Sequence, residues 1–382
     1  MSVARGHLIA VVGAGGNIGS HLVPHLGRMP GVARVILIDR DRYEPRNLSN
    51  QDIAPADLGK PKAMVQARRL RRLAPALEVV AAPAPVEEVP LGLLRADVIL
   101  AGLDSRAARQ RVNEMAWRLG VPWIDAGVAV VGASRLARVT VYAPGEDRPC
   151  LECAWDERDY ALLEQGHPCA AEPAAAAFAS GSPSSLGALA AALQALACER
   201  LLGGDLAAAG SQLVIDAVHR TQFVTALRRN PRCRRSGDHG EWRIARLDRG
   251  PAELTLGQVL ELGKAAGAGA GAGDGASSTL ALAGRRLARK SSCMGCGRVS
   301  RRLHAAATAA RRCRRCGENL VAAGFDLADV VAAGELARRD LRRPLAALGV
   351  RAGDVLTVGG PGGEVHLEIG AAGVATREVC DA

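Results

Sequence analysis

Ten cysteines and a small set of acids and lysines limit the chemistry open to this 382-residue chain. Cys293 and Cys296 form one Cys-x-x-Cys pair and Cys313 and Cys316 another, the spacing of a zinc ribbon whose two knuckles close a Cys₄ site. A full thiolate shell leaves no open position on the metal, so the expected role is structural, and the segment has too few large apolar residues to fold without it. Near the N-terminus an apolar strand, Leu8 to Val12, runs into a glycine turn at Gly13, Gly15, Gly16 and Gly19. A helix, a second apolar strand (Val35 to Ile38) and Asp39 follow. Glycines after a strand let backbone approach a phosphate, the helix N-terminus offers N–H groups and positive dipole, and an acid ending the next strand can hold ribose hydroxyls. This pattern points to a nucleotide without choosing one.

The chain has four lysines, and Lys60 and Lys62 flank Pro61. Lysine is a compact point charge suited to a nucleotide phosphate, so its retention there in an arginine-biased chain suggests a requirement. Asp104 follows another apolar strand, Val98 to Leu100. In open α/β sheets, sites lie beyond the carboxyl ends of the strands, where Gly13, Asp39 and Asp104 all fall.

With Asp39-Arg-Asp41, Asn47-Leu-Ser-Asn50-Gln51, Gly59-Lys-Pro-Lys62 and Asp104-Ser-Arg-Ala-Ala-Arg109, about residues 7 to 235 resemble the ThiF and MoeB family of ubiquitin-activating-enzyme-like adenylyltransferases. The resemblance implies ATP-dependent adenylation of the C-terminal carboxylate of a ubiquitin-like or sulfur-carrier protein. Asp39 and the glycine turn would hold ribose and adenosine, and Asp41, Asn47, Asn50 and Gln51 would shape the pocket. Lys62 and Arg109 would lie at the phosphates, and Asp104 would hold Mg²⁺. It further implies a homodimer and a downstream conjugating or sulfur-transfer protein as an additional partner. Cys150 and Cys153 resemble the family's first zinc pair. The second pair reduces to Cys233 before Ser236, so His239 is the expected fourth ligand. Cys169, with Gly166 and His167 in a segment that crosses the site in the family, resembles a cysteine that accepts an activated carboxyl group. Two departures stand out: Asn50 replaces an arginine and Ser105 an asparagine. Arg46 or Arg109 would have to supply the missing charge. Two rival readings follow, a nucleotide-binding pseudoenzyme that presents a partner, and an NAD-dependent oxidoreductase that would leave Lys62, Asp104 and the cysteine pairs without a task.

These residues need a parallel α/β scaffold. Strands are expected at Leu8 to Val12, Val35 to Ile38, Leu77 to Ala81, Val98 to Leu100 and Pro122 to Ile124. A helix is expected at Lys62 to Leu73, an antiparallel strand at Arg138 to Tyr142, a long helix at Leu186 to Leu202, and two further strands at Leu213 to Ile215 and Phe223 to Leu227. The fold class is thus a Rossmann-like, mostly parallel sheet with an antiparallel extension, followed by a zinc ribbon and a small α+β tail. The expected division is an adenylation domain over 1–250, a flexible Gly/Ala linker over 263–279, the ribbon over 280–320 and a partner-binding module over 321–382.

Composition narrows the partners. Net charge is +10, and the stretch from Arg285 to Cys316 alone carries eleven Lys or Arg and no acid, which leaves the rest near neutrality. Aromatic residues make up 3% of the chain and none lies in that block. Single-strand binders stack bases on aromatics, so an acidic protein surface is expected rather than nucleic acid. No secretory signal pattern opens the chain and no uninterrupted apolar run reaches bilayer length, so a cytoplasmic protein with no membrane partner is expected. Cysteines grouped in Cys-x-x-Cys pairs favour metal over disulfides there.

Overall fold

The computed structural model describes residues 6–164, 182–235, 241–267, 278–306, 311–360 and 363–370. They divide into two compact units, Met1–Val86 with Leu94–Glu241, and Glu87–Leu93 with Trp242–Ala382.

In the first unit, β1 (His7–Val12), α1 (Asn17–Leu26), β2 (Val32–Ile38), α2 (Lys62–Leu73), β3 (Glu78–Ala82), β4 (Val98–Ala101), α3 (Arg106–Leu119) and β5 (Trp123–Val131) alternate. The strands lie parallel in the order β3-β2-β1-β4-β5. Their centres read as unbroken apolar runs because both sheet faces are covered by crossover helices. Ser105 caps α3, its Oγ accepting from the Ala108 N–H at 3.3 Å, and Gly120 ends that helix at φ +66°. These are the ordinary start and stop chemistries of a helix.

An antiparallel extension follows, with β6 (Ser134–Tyr142), then α4 (Glu157–Glu164), α5 (Ser184–Leu202), β7 (Ser211–Asp216) and β8 (Thr221–Ala226). The sheet continues β5-β6-β7-β8. β5 runs seven residues beyond the expected Pro122 to Ile124 end because it closes a hairpin with β6 through Gly132, at φ +55°, with Val131 opposite Ser134. A two-residue turn of that kind needs positive φ, which glycine supplies. By length and composition α5 alone among the described residues is apolar enough to cross a membrane, although Gln194, Glu199 and Arg200 interrupt its apolar run. In the fold its Leu186, Ala190, Ala191 and Ala195 are buried in the same apolar cluster as Ile9, Leu22 and Ile124, so packing against the sheet accounts for its composition.

The second unit contains β9 (Ile244–Arg246), α6 (Leu256–Gly267), β10 (Thr279–Leu282), β11 (Leu287–Ala288), β12 (Ser291–Cys293), β13 (Val299–Ser300), β14 (His304–Ala305), β15 (Arg311–Arg312), β16 (Asn319–Val321), β17 (Leu327–Ala328), β18 (Val330–Ala332), α7 (Arg338–Leu341), β19 (Val355–Gly360) and β20 (Gly363–Glu368). Its sheets run β18-β10-β19-β20-β9, β14-β11-β17 and β13-β12-β16-β15. The divisions differ from those expected. β9 pairs with β20 and Gly92 N–H bonds to Gly353 O, so residues 242–250 and 87–93 join this unit. β10 pairs with both β18 and β19, so ribbon and tail interleave around one core that includes Leu254, Val259, Leu280, Leu356 and Leu367. The expected linker begins later than Gly263. α6 extends to Gly267, and a Cβ at Gly263 would lie 2.4 Å from that of Val358. There glycine serves close packing rather than flexibility.

Candidate active site

β1 delivers the chain to Gly13, whose φ of +81° and 2.5 Å clearance between a built Cβ and Gly102 O admit no side chain. The N–H groups of Gly13 and Ala14 donate to Ile38 O at 2.9 and 3.2 Å, which ties the glycine turn to the end of β2. Gly19 lies one position beyond the usual third glycine, and its built Cβ would be 2.1 Å from Gly13 O. Close approach of helix to turn therefore explains the glycine at that spacing. Gly15 packs on the stem of Lys62, at 2.3 Å from a built Cβ to Lys62 Cβ.

Asp39 is buried at the end of β2. Its Oδ2 accepts from the Gly15 N–H at 2.8 Å and its Oδ1 from the Asp41 N–H at 3.0 Å. Burial pushes its carboxyl above the usual range, opposed by those two amides and by Lys62. Each oxygen still has a lone pair for another donor. The Lys62 side chain is 8% exposed, with Nζ 3.6 Å from Asp41 Oδ2 and 5.6 Å from the centre of the Tyr43 ring. Tyr43 is itself buried, and its hydroxyl accepts from Gln66 Nε2 at 2.7 Å. Glycine turn, Asp39, Asp41 and Lys62 thus form one cluster, walled by Tyr43 and Gln66, which sequence inspection does not single out.

Asn47 differs from its expected part in the pocket wall. Its Oδ1 accepts from the Glu44 N–H at 2.8 Å, and its carbonyl accepts from the N–H groups of Asn50 and Gln51 at 3.3 and 2.9 Å. Its visible work is to build the turn that carries Asn50 and Gln51. Arg46, one of two candidates for the missing charge, lies at the surface with Nε 2.8 Å from Glu44 Oε2.

Asp104 stands two residues past Gly102, whose carbonyl backs Gly13. It is exposed, and its carboxylate has no hydrogen bond or ion pair among the described residues. Ser105, which replaces asparagine, serves as the cap of α3. Arg109 is not left free for a phosphate as expected. Its Nε donates to Asp125 Oδ1 at 2.8 Å, and its Nη2 donates to Leu103 O. Arg138 Nη2 donates to the other oxygen, Asp125 Oδ2, at 2.6 Å. Asp125 is fully buried, and each of its oxygens pairs with one of the two guanidiniums. Gly127 makes room for them, a built Cβ lying 3.1 Å from Arg138 Nη2 and 3.6 Å from Arg109 Nη2. A lone acid in the apolar run Trp123-Ile-Asp125-Ala was the available signal for this pair.

Two cysteine clusters could hold metal. In the first unit Cys150 Sγ lies 3.7 Å from Cys153 Sγ and 3.8 Å from Cys233 Sγ. In the second, Cys293 and Cys316 are 3.3 Å apart and Cys296 and Cys313 3.8 Å. Zn–S bonds of about 2.3 Å in a tetrahedron put sulfurs about 3.8 Å apart, which both clusters approach. Cys169, Gly166, His167, Ser236 and His239 lie outside the described residues.

Residues 4–235 match the ThiF family. The chain belongs to that family. Among its relatives the sulfur carrier protein adenylyltransferase of Thermus thermophilus is 34% identical over 242 residues, which cover 60% of this chain and 82% of that one. The sulfur carrier protein ThiS adenylyltransferase of Escherichia coli is 27% identical over 228 residues, 59% of this chain and 84% of its own. A crystal structure of E. coli MccB with ATP aligns at 22% identity and a TM-score of 0.47, over 60% of this chain and 66% of that one. As a ThiF-family domain, the first unit has its motifs at the carboxyl edge of the parallel strands, where such sheets hold ligands.

Proposed function

We propose that the protein adenylates the C-terminal carboxylate of a ubiquitin-like or sulfur-carrier protein with ATP. The observation that carries this reading is the cluster of Gly13, Gly15, Asp39 and Lys62, together with an exposed Asp104 that has no partner among the described residues, in a ThiF-family domain. A carboxylate oxygen of the carrier forms a bond to the α-phosphorus, the bond from that phosphorus to the bridging oxygen breaks, and pyrophosphate leaves with its electron pair. The step needs charge neutralisation and in-line placement more than a base. The free lone pairs of Asp39 suit ribose hydroxyls. Lys62 is held by Asp41 and by the packing of Gly15 in a position to meet phosphate. Asp104 is the acid still open to Mg²⁺, which would supply charge neutralisation at the phosphates. The Asp125 carboxylate orients Arg109 and Arg138 rather than leaving either mobile. The NAD-dependent reading gives Lys62 and Asp104 nothing to do. Full-length protein should be protected thermally by ATP with magnesium and not by NAD, and should catalyse carrier-dependent ATP–pyrophosphate exchange. Protection by NAD alone overturns the proposal.

Asn50 keeps a second reading alive, that of a nucleotide-binding scaffold, because an amide cannot offset the charge of the departing pyrophosphate. Both expected substitutes are engaged, Arg46 with Glu44 and Arg109 with Asp125. The surface pair is the weaker tether. Asn50→Arg should raise the exchange rate more than about tenfold, or roughly 1.4 kcal/mol in the barrier. Absence of exchange in both proteins, with the true carrier present and ATP bound, leaves the scaffold as the function.

Zinc completes the reading, structural in the Cys293, Cys296, Cys313 and Cys316 site, and bound by Cys150, Cys153 and Cys233 with His239 in the other. A reducing, cytoplasmic compartment suits thiolates kept for metal, and we extend the family analogy to a homodimer. Metal analysis of the full chain should give two zinc ions. Cys313→Ser with Cys316→Ser should leave one. A single zinc in the unmodified chain, lost with that double substitution, removes the first set.

A further inference from the structure

We infer that the face of the four-stranded ribbon sheet that carries Val299, Val321 and Arg312 is a docking surface for an acidic protein segment that also carries aliphatic side chains. The basic block divides in two. Arg285 pairs with Asp354, Arg286 with Asp329 at 3.4 Å, Arg289 with Glu335 at 2.9 Å and Lys290 with Asp326 at 3.9 Å. These four basic residues therefore have local acids to hold them. The seven arginines from Arg298 to Arg315 are all exposed, and none has a carboxylate partner among the described residues. They also crowd one another along the chain, as Arg301-Arg302, Arg311-Arg312 and Arg314-Arg315. Like charges gathered without counter-charge cost stability, a cost that an external anion relieves.

Apolar exposure on the same sheet selects the class of anion. Val299 on β13 and Val321 on β16 both stand opposite Ser292 of β12, so the three lie side by side on one face, away from the row of Cys293, Leu320 and Arg311. Asn319 and Arg312 continue that face. Val299 is 43% exposed, Val321 47% and nearby Met294 72%. Aliphatic and methionine side chains on a sheet that also bears arginine match the composition of protein interfaces. Single-stranded nucleic acid would need aromatic platforms, and β12, β13, β15 and β16 carry none. Electrostatic complementarity of this kind speeds encounter and selects partners.

The test uses full-length protein and a labelled short peptide alternating glutamate and leucine. Controls are the same peptide with glutamine for glutamate and a single-stranded DNA oligonucleotide. The acidic peptide should bind in preference to both. Replacing Arg312, Arg314 and Arg315 together by glutamine should weaken peptide binding about tenfold or more. Val299→Ser with Val321→Ser should weaken it several-fold at unchanged net charge. In both variants zinc content and carrier-independent ATP binding should stay as they were, which separates lost docking from an unfolded ribbon. Tighter binding of DNA, insensitive to the valine substitutions, would assign the surface to nucleic acid and overturn the inference. So would equal binding of the glutamine peptide, or no binding at all.

Discussion

Asp104→Ala should abolish carrier-dependent ATP–pyrophosphate exchange while leaving the fold intact. The residue follows the end of β4, its carboxylate is exposed, and no described residue neutralises it. It therefore carries no local structure, and circular dichroism and thermal midpoint should match the parent. Asp39 has a different task, its two oxygens receiving backbone N–H groups and keeping their remaining lone pairs for ribose hydroxyls in the proposed reading. Loss of one preorganised electrostatic contact to a transition state removes on the order of 10²- to 10³-fold in rate, and loss of the metal's anionic ligand should cost at least that. Asp104→Asn separates charge from shape and should also fall by more than about tenfold. Exchange within threefold of the parent in either variant would show that another acid holds the magnesium.

Asp125→Ala should produce the largest stability loss of any substitution in the site. Removing one partner from a buried ion pair leaves the other charge uncompensated and costs about 3–5 kcal/mol. Here two cations lose their anion, but the Arg109 and Arg138 side chains are 16% and 32% exposed, so water relieves part of the penalty. We expect the lower end of that range, and at about 2–4 °C per kcal/mol for a unit of this size a drop of roughly 6–12 °C in the unfolding midpoint. Asp125→Asn preserves the shape and one acceptor oxygen and should cost less. If Asp125→Ala moves the midpoint by less than about 2 °C, the pair is not the anchor described. Because Asp125 orients Arg109 beside Leu103, Asp125→Asn should also slow exchange. An Asp125→Asn, Arg138→Gln double variant should recover some stability but not rate, since one of the two uncompensated cations is then gone.

Short-range chemistry was legible in the sequence. The strand, glycine turn, helix and second strand from Leu8 to Asp39 show in hydropathy alone, because buried parallel strands need continuous apolar runs and a phosphate-sized turn needs glycine. α2 lies over Lys62–Leu73, the expected span, since Pro61 starts the helix and its apolar face is periodic. The Cys-x-x-Cys pairs are equally local. Two sulfurs on one tight knuckle converge whatever the rest of the chain does.

Contacts between segments distant in sequence were decided only by the tertiary structure. Hydropathy brings β5 and β6 into the sheet, but only their register puts Arg138 opposite Gly127 and so within reach of Asp125. That pairing turns Arg109 from an expected phosphate ligand into a tethered side chain. Cys233 meets Cys150 across 83 positions because both leave elements of one sheet-centred unit, which no spacing rule measures. The glycine-rich run after Gly263 reads as a linker by composition, yet its first turn is helix packed on Val358. Composition reports what a segment costs to order, whereas packing depends on which neighbour arrives. The same holds for the basic block. Sequence counts eleven charges there, but the fold neutralises the first four with acids brought from residues 326 to 354 and leaves the other seven facing solvent. Charge is a property of the residue, while its compensation is a property of the distances that folding sets.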